Sequence, residues 1–396
     1  MIHLPANFQL PAAFPARKRP NRFALRPTAV ELDPNLPETD ELLSLFLNDT
    51  PLLDVRAPTE FCEGAFPQAV NRPLIDDAER HEIGKTYKDL GQDAAIELGV
   101  RLVSGSAKAS RIEGWKAFAE ANPDGVLYCF RGGMRSRISQ QWLRDNSGIV
   151  YPRVRGGYKA LRRFLIEQLE ENSPKVRPVV IGGRTGVGKT RLLHRLTPHL
   201  DLEKLAWHRG SAFGRHATPQ PPQINFENAL SIGVLKLLHN GNPWFATEDE
   251  SRNIGARHMP MSFFEPLSRA PVVVLEATLE ERIDVTLQEY VHDALQEYRD
   301  LVGEKAGFEA WAEYLDNSLG RIRKRLGGVK HLTIRQKLQH ALQQQRDTGE
   351  TSAHRAWIES LLVDYYDSMY NYQPVSYTHL TLPTNVSMCR SRWSRY

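Results

Sequence analysis

Hydrophobic periodicity starts late in this chain. Residues 1–37 mix prolines with scattered apolar and basic positions (Arg17, Lys18, Arg19, Arg22, Arg26). They hold neither a helical nor a strand period and predict a flexible arm. From Asp40 the pattern turns globular. Residues 41–47 predict a short helix and 51–55 a compact apolar strand. A second strand over 125–130 runs into a Gly-rich turn and a helix over 136–145. A strand over 149–154 follows, then a helix over 158–171 that carries Leu161, Phe164, Leu165 and Leu169 on one stripe. The polar, Pro-bearing stretch 172–178 reads as a linker. Strand 178–181 then leads into a second Gly-rich loop with a helix over 190–196 behind it, and residues 271–275 are again strand-sized. Beyond 279 the pattern is largely helical, over 280–325 and 334–370. Strands alternating with helices predict parallel sheets and an α/β fold in two domains, residues 38–172 and 173–373. Residues 374–396 continue neither period and read as foreign sequence outside the fold.

Composition narrows the class. With 41% hydrophobic and 25% charged residues, a wholly disordered chain is excluded. No apolar run approaches the ~18 residues of a membrane span. Prolines interrupt the N-terminus where a signal peptide needs an unbroken apolar stretch, so the expectation is a cytoplasmic protein. A net charge of +4, from 51 Lys+Arg against 47 Asp+Glu, excludes a histone-like polycation but leaves room for a local basic face. Cys62, Cys129 and Cys389 are too few and too scattered for a disulfide framework or a zinc site.

Cys129 stands apart from the other two. It ends a predicted strand and precedes a helix, inside Tyr128-Cys129-Phe130-Arg131-Gly132-Gly133-Met134-Arg135-Ser136. Gly132 and Gly133 let the loop curl so that backbone N–H groups turn inward. The helix N-terminus adds partial positive charge, and Arg131 and Arg135 add full charges. All three features favour thiolate over thiol, which makes Cys129 the candidate nucleophile and Arg131, Gly132, Gly133, Arg135 and Ser136 its loop. Cys62 has no such context.

The second loop is more specific. Gly183-Arg184-Thr185-Gly186-Val187-Gly188-Lys189-Thr190 matches G-x-x-x-x-G-K-[ST] in full, between a strand and a helix. Gly183, Gly186 and Gly188 let backbone N–H groups close around phosphate oxygens. Lys189 neutralises charge, and the Thr190 hydroxyl can take Mg²⁺. An acidic partner is expected at another strand end, where Glu248 or Glu250 within 243–251 could support the cation through water.

Between Arg131 and Arg163 lie nine basic residues and one acidic one, Asp145. Because the run begins at the reactive cysteine, a polyanionic substrate is expected, with Arg153, Arg155, Lys159, Arg162 and Arg163 as contacts. A second cluster, Arg321, Arg323, Lys324 and Arg325, lies on a predicted helix. No RNP, KH or zinc-knuckle motif is present, so RNA binding would rest on shape and phosphate contacts.

Two resemblances add to these readings. Residues 54–61 (DVRAPTEF) and 64–74 (GAFPQAVNRPL), with the loop from Cys129 to Ser136, resemble rhodanese domains, which carry a persulfide on that cysteine. Departures are Ala65 where a histidine is common and a long insert between Asn71 and Cys129. A rhodanese-like parallel-sheet domain followed by a P-loop α/β domain with a helical C-terminal part resembles the tRNA 2-selenouridine synthases, over roughly residues 36–372. Supporting segments are 79–88, 154–161, 208–214, 248–255 and 364–370.

The second resemblance implies exchange of sulfur for selenium in the wobble 2-thiouridine of tRNA. It implies an S-geranylated intermediate, with geranyl diphosphate and selenophosphate as co-substrates. Partners would be the tRNA anticodon arm and an enzyme that supplies selenophosphate. In this scheme the P-loop cradles the diphosphate with Mg²⁺, and Cys129 assists selenium delivery through a transient S–Se adduct. The family's last strand and helix would be missing here, replaced by the tail. Whether the P-loop holds geranyl diphosphate, a nucleotide or both stays open. Alternatives are an ATP-dependent persulfide sulfurtransferase for tRNA, a sulfur-sensing regulatory module and a thiosulfate rhodanese.

Overall fold

The computed structural model describes residues 32–370 and 380–383. Most of the basic arm, including Arg17 to Arg26, and Cys389 lie outside the described residues.

Short apolar runs cannot bury themselves alone, and here they pair side by side. β1 (Glu38–Thr39), β2 (Leu52–Asp54), β3 (Ala69–Asn71), β4 (Val126–Tyr128) and β5 (Arg153–Val154) form a parallel sheet in the order β1-β5-β4-β2-β3. The strand period of two sorts the side chains onto two faces. Leu53, Leu127 and Cys129 join one core with Trp115, Ile138 and Trp142. Leu52, Val126, Tyr128 and Val154 join the other with Phe46, Leu161 and Leu165. The long insert folds as three helices, Asp77–Leu90, Gln92–Leu102 and Gly105–Ala121. The first starts with Asp76 and Glu79 in a reciprocal cap.

The expected linker is not a loose tether. Helix Gly157–Asn172 runs through a 3-10 turn, Ser173–Lys175, into the next strand. Asn172 and Ser173 are buried, and the Ser173 hydroxyl donates to the Leu169 carbonyl at 2.6 Å. Two of the polar residues that suggested a solvated linker, Asn172 and Ser173, are thus packed inside, while Lys175 and Arg177 stay exposed.

The second sheet contains β6 (Arg177–Gly182) and β7 (Trp244–Glu248). A two-stranded antiparallel ribbon, β8 (Asn253–Ile254) and β9 (Arg257–His258), lies apart from it. β10 (Val272–Glu276) and β11 (Leu380–Pro383) complete the parallel order β11-β10-β6-β7. β11 corrects the reading of the tail as sequence outside the fold. Leu380 lies opposite Val273 and Leu382 opposite Leu275. An edge strand of four residues, held by backbone pairing, leaves little hydrophobic period to read.

The helical region is a bundle around Trp311, Leu315, Leu338, Trp357 and Leu361, all fully buried. Gly303, at φ +87°, breaks the expected run over 280–325 between Ala294–Val302 and Glu304–Leu326, and Gly327, also at +87°, lies in the expected gap, behind which Gly328–Thr348 starts earlier than position 334. Helix Gln223–His239 joins the two halves. Its Phe226 and Leu230 pack in the second sheet's core, and its Ile232 and Leu235 pack in the first sheet's core beside Tyr128 and Leu161. No helix among the described residues is long and apolar enough to cross a membrane.

Candidate functional site

Both candidate loops leave the C-terminal ends of inner parallel strands, the position where α/β sheets hold ligands. Cys129 follows β4, which lies between β5 and β2; the P-loop follows β6, which lies between β10 and β7.

The Cys129 loop is pressed against the start of helix Gly157–Asn172. The Tyr158 amide donates to the Cys129 carbonyl at 2.9 Å, and the Lys159 amide to the Phe130 carbonyl at 3.1 Å. The approach requires glycine. Gly157 sits at φ +58°, and a Cβ there would collide with the Cys129 carbonyl oxygen. Gly132, at φ +64°, would meet the backbone of Gly156. Cys129 is buried, and its thiol donates to Ser136 Oγ at 3.2 Å. Ser136 in turn donates to the Gly133 carbonyl at 3.0 Å.

The charge pattern around this thiol differs from the expectation of two free arginines. Arg131 is exposed, with its guanidinium by the Phe130 ring. Arg135 donates to both Glu60 oxygens, at 2.5 and 3.0 Å. Burial alone would raise the Glu60 carboxyl, but Arg135, the Ala57 amide and Arg80 hold it below its ordinary value. Arg135 thus reaches Cys129 electrostatically as half of an ion pair. Beneath it, the buried Arg56–Asp54 pair binds the Gly64 carbonyl at 2.7 Å and lies 3.9 Å over the Tyr158 ring. Residues 54–64 are therefore the frame of the loop. Glu60 was missed because its partner is far along the chain.

At the second loop, Gly186 and Gly188 both stand at φ +83°. The Lys189 ammonium donates to the Gly183 carbonyl at 3.0 Å, and Thr190 Oγ1 to Glu203 at 3.3 Å. Arg282 braces the loop from the helical region. Its Nε donates to the Thr185 carbonyl at 2.9 Å, and its two terminal nitrogens hold Asp367 at 3.0 and 2.7 Å. The loop lines a cavity of about 270 Å³ shared with Glu203, Arg209, Ser211, Glu250 and Glu289.

Glu250 faces this cavity, as expected of an acidic partner. Glu248 does not. It is fully buried on β7, accepts from the Leu202 amide at 3.3 Å, and is pushed up to about 8 by burial and by the charges of Asp201 and Glu203. Glu248 is the last residue of β7 and is packed against the start of helix Leu202–Ala206, whereas Glu250 follows the strand end and lines the cavity. Burial raises Glu203 and Glu250 too, and Glu250, beside the Glu203 charge, keeps its proton well above the ordinary range. Glu289 is pushed up to about 7 by burial and by Glu203. Glu203 and Glu289 lie in no motif, and Arg209 lies in the 208–214 segment of the resemblance, where no local spacing marks it as facing a phosphate loop. Among the described residues no group of three or more His, Cys, Asp or Glu could hold a metal by itself. A cation here would need phosphate oxygens as well, which suits Mg²⁺ on one or two carboxylates and Thr190.

The basic run does not form one face. Arg153 is turned inward, donating to the Gly132 carbonyl at 3.1 Å and pairing with Glu38. Arg155 spans Glu38 and Asp40. Arg162 is committed to helix Gln223–His239, pairing with Glu227 and donating to Asn228 at 2.8 Å. Those bonds hold the two halves together, so this arginine is unavailable to a polyanion as first expected. Lys159 and Arg163 are exposed, Arg163 with Glu167 four residues on. Arg321, Arg323, Lys324 and Arg325 are exposed near the end of helix Glu304–Leu326, where positive charge suits the helix dipole.

Residues 176–385 match the family model described as the tRNA 2-selenouridine synthase AAA domain. The tRNA 2-selenouridine synthase of Marinobacter nauticus is 52% identical over 337 residues, covering 85% of this chain and 92% of that one. Its namesake in Bordetella bronchiseptica is 53% identical over 336 residues, with 85% and 91% covered. That of Pseudomonas aeruginosa is 50% identical over 335 residues, again with 85% and 91% covered. Relatives this similar over most of both chains show the family, and the chain belongs to the tRNA 2-selenouridine synthases.

Proposed function

We propose that this protein is an enzyme that replaces sulfur by selenium in the wobble 2-thiouridine of tRNA. Residues 38–172 act as a rhodanese-like domain and 173–373 as a P-loop domain. The observation that carries the reading is the pairing of a buried thiol and a phosphate cradle, each on an inner parallel strand, joined by one shared helix.

The first step is alkylation. The thiouridine sulfur attacks C1 of geranyl diphosphate, the C1–O bond breaks, and diphosphate leaves. Gly183, Gly186, Gly188 and Lys189 hold that diphosphate, and Arg282 keeps their loop in shape. Mg²⁺, when bound through Thr190 and Glu250, supplies further neutralisation of the leaving group. Alkylation turns a poor leaving group into a thiol. In the second step the selenium of selenophosphate attacks C2 of the base, the C2–S bond breaks and the geranyl thiol departs; water then cleaves the Se–P bond, phosphate leaves, and selenium stays on C2. Cys129, with Ser136 as its hydrogen-bond partner, serves this step, and Arg131 and Arg135 assist with the anionic selenium donor. Lys159 and Arg163 contact the anticodon arm.

Mass spectrometry of wobble nucleosides tests the reading, after thiolated tRNA is incubated with selenophosphate, with and without geranyl diphosphate. Lys189→Ala should block geranylation but not selenation of tRNA supplied already geranylated. Cys129→Ala should abolish selenation and leave tRNA binding intact. Equal selenation by wild type and Cys129→Ala overturns the assignment of the thiol; thiolation coupled to ATP hydrolysis overturns the reaction.

A further inference from the structure

A well-packed interior has few voids larger than a water molecule. The first domain carries an apolar cavity of about 340 Å³, open to solvent on one side, between the helices of the insert and helix Met134–Ser147. Its walls include Leu74, Ile83, Ile96, Val103, Ile138 and Trp142, and Arg135 is the one charged residue among those that line it. Tyr87 and Gln92, both exposed, stand at its mouth.

We propose that this cavity holds the hydrocarbon chain of the S-alkylated uridine while its sulfur is presented to Cys129. The inference rests on the reaction proposed above and gives the alkyl group a site.

Three observations carry it. Cys129, Leu74, Val103, Ile138 and Trp142 belong to one hydrophobic cluster, so the cavity opens inside the core that bears the thiol. Met134 and Arg135, the first residues of the helix that follows the Cys129 turn, form part of its wall, so a ligand there touches the helix start that closes the thiol's loop. The size also fits. A water molecule takes about 30 Å³ of liquid, and a branched chain of about ten carbons at a similar share needs roughly 300 Å³.

The two cavities at the P-loop fit less well. One is lined by Lys189, Glu203, Arg209, Glu250 and Glu289, a setting for phosphate. The other, about 200 Å³, is smaller and has Arg191, Arg195 and Glu281 in its wall. The alkyl chain would therefore leave the cradle after transfer and lodge beside the thiol, which brings the modified sulfur to the second step. The helices of the insert, absent from the simpler rhodanese pattern, supply much of this wall.

The test measures binding of the full-length protein to anticodon-loop RNA hairpins bearing S-methyl, S-dimethylallyl or S-geranyl 2-thiouridine. Each CH₂ withdrawn from water is worth about fourfold in affinity. Wild type should therefore favour the geranyl hairpin over the dimethylallyl one by at least about tenfold. Val100→Trp fills the cavity and should bring the three hairpins within about threefold of each other, without weakening the S-methyl one. Ile83→Lys, which places a charge in the cavity from a different helix, should do the same. Val285→Trp, in the smaller cavity by the P-loop, should leave the preference intact.

Equal affinity for all three hairpins in wild type overturns the proposal, and that measurement needs no variant. A preference that survives Val100→Trp and Ile83→Lys but collapses in Val285→Trp moves the chain to the P-loop and also overturns it. Selenation of the geranyl hairpin without any chain-length preference leaves the reaction standing and removes only this site. A chain-length preference without selenation supports the site while removing the reaction.

Discussion

Replacing Glu248 by glutamine removes a proton equilibrium while preserving the side chain's size and its acceptor for the Leu202 amide. In the fold Glu248 is fully buried and its carboxyl is raised from 4.5 to about 8, by burial first and then by Asp201 and Glu203. The folded state thus holds this proton more tightly than the unfolded chain does. Its contribution to stability is fully present below the unfolded value and is lost as pH rises through the folded value. Glutamine stays neutral throughout. The stability difference, variant minus wild type, should be near zero at about pH 4.5 and grow by up to about 1.4 kcal/mol per pH unit. It should level off above about pH 8, at no more than about 5 kcal/mol. Neighbouring carboxylates share the strain of ionisation, so a stabilisation of roughly 2–4 kcal/mol is expected there. Urea unfolding followed across about pH 5 to 9 reads the difference directly. A difference that does not change with pH would refute the argument, because it would mean that Glu248 ionises as easily inside the fold as outside. A variant less stable than wild type at high pH would refute it more strongly.

Three further outcomes follow from the geometry. Glu60→Gln takes the charge from the carboxylate that holds Arg135, and should cost about 1–3 kcal/mol at neutral pH. The sign is opposite to that of Glu248: its carboxyl is lowered in the fold, so its stabilisation is present above the unfolded value of 4.5 and fades as pH falls below it, which acid unfolding of the two proteins checks. Gly157→Ala forces a Cβ into the Cys129 carbonyl at a positive φ and should lower selenation by on the order of a hundredfold, with RNA affinity nearly unchanged. Lys159→Ala and Arg163→Ala should each lower the log–log salt slope of tRNA binding by about 0.7–0.9, whereas Arg162→Ala should leave the slope alone and lower the melting temperature.

Much of this protein follows from short stretches of its sequence. The loops at Cys129 and Lys189 are legible because the residues that give them their turns lie within a few positions, although Gly157 and Arg282 brace them from afar. A strand end, glycines at positive φ and a helix start are all local, and Gly186 and Gly188 have the backbone their motif demands. The two-sided burial of β2 and β4 could be read the same way, since the strand period acts within three residues.

Tertiary structure decided what those loops face. Glu60 meets Arg135 across 75 residues, and Asp367 meets Arg282 across 85. No spacing encodes such meetings, because they depend on how whole elements pack. Arg162 read as a solvent-facing cation until helix Gln223–His239 lay against it. β11 read as foreign text because an edge strand pairs through its backbone, whatever its side chains. Proton affinity belongs to the same class. Glu248 and Glu250 sit two residues apart in the sequence, yet Glu248 closes β7 and is enclosed against the Leu202 amide, while Glu250, past the strand end, lines the phosphate cavity. A sequence names which groups can ionise. The dielectric around each group and the charges that reach it come only from chain segments brought together by folding.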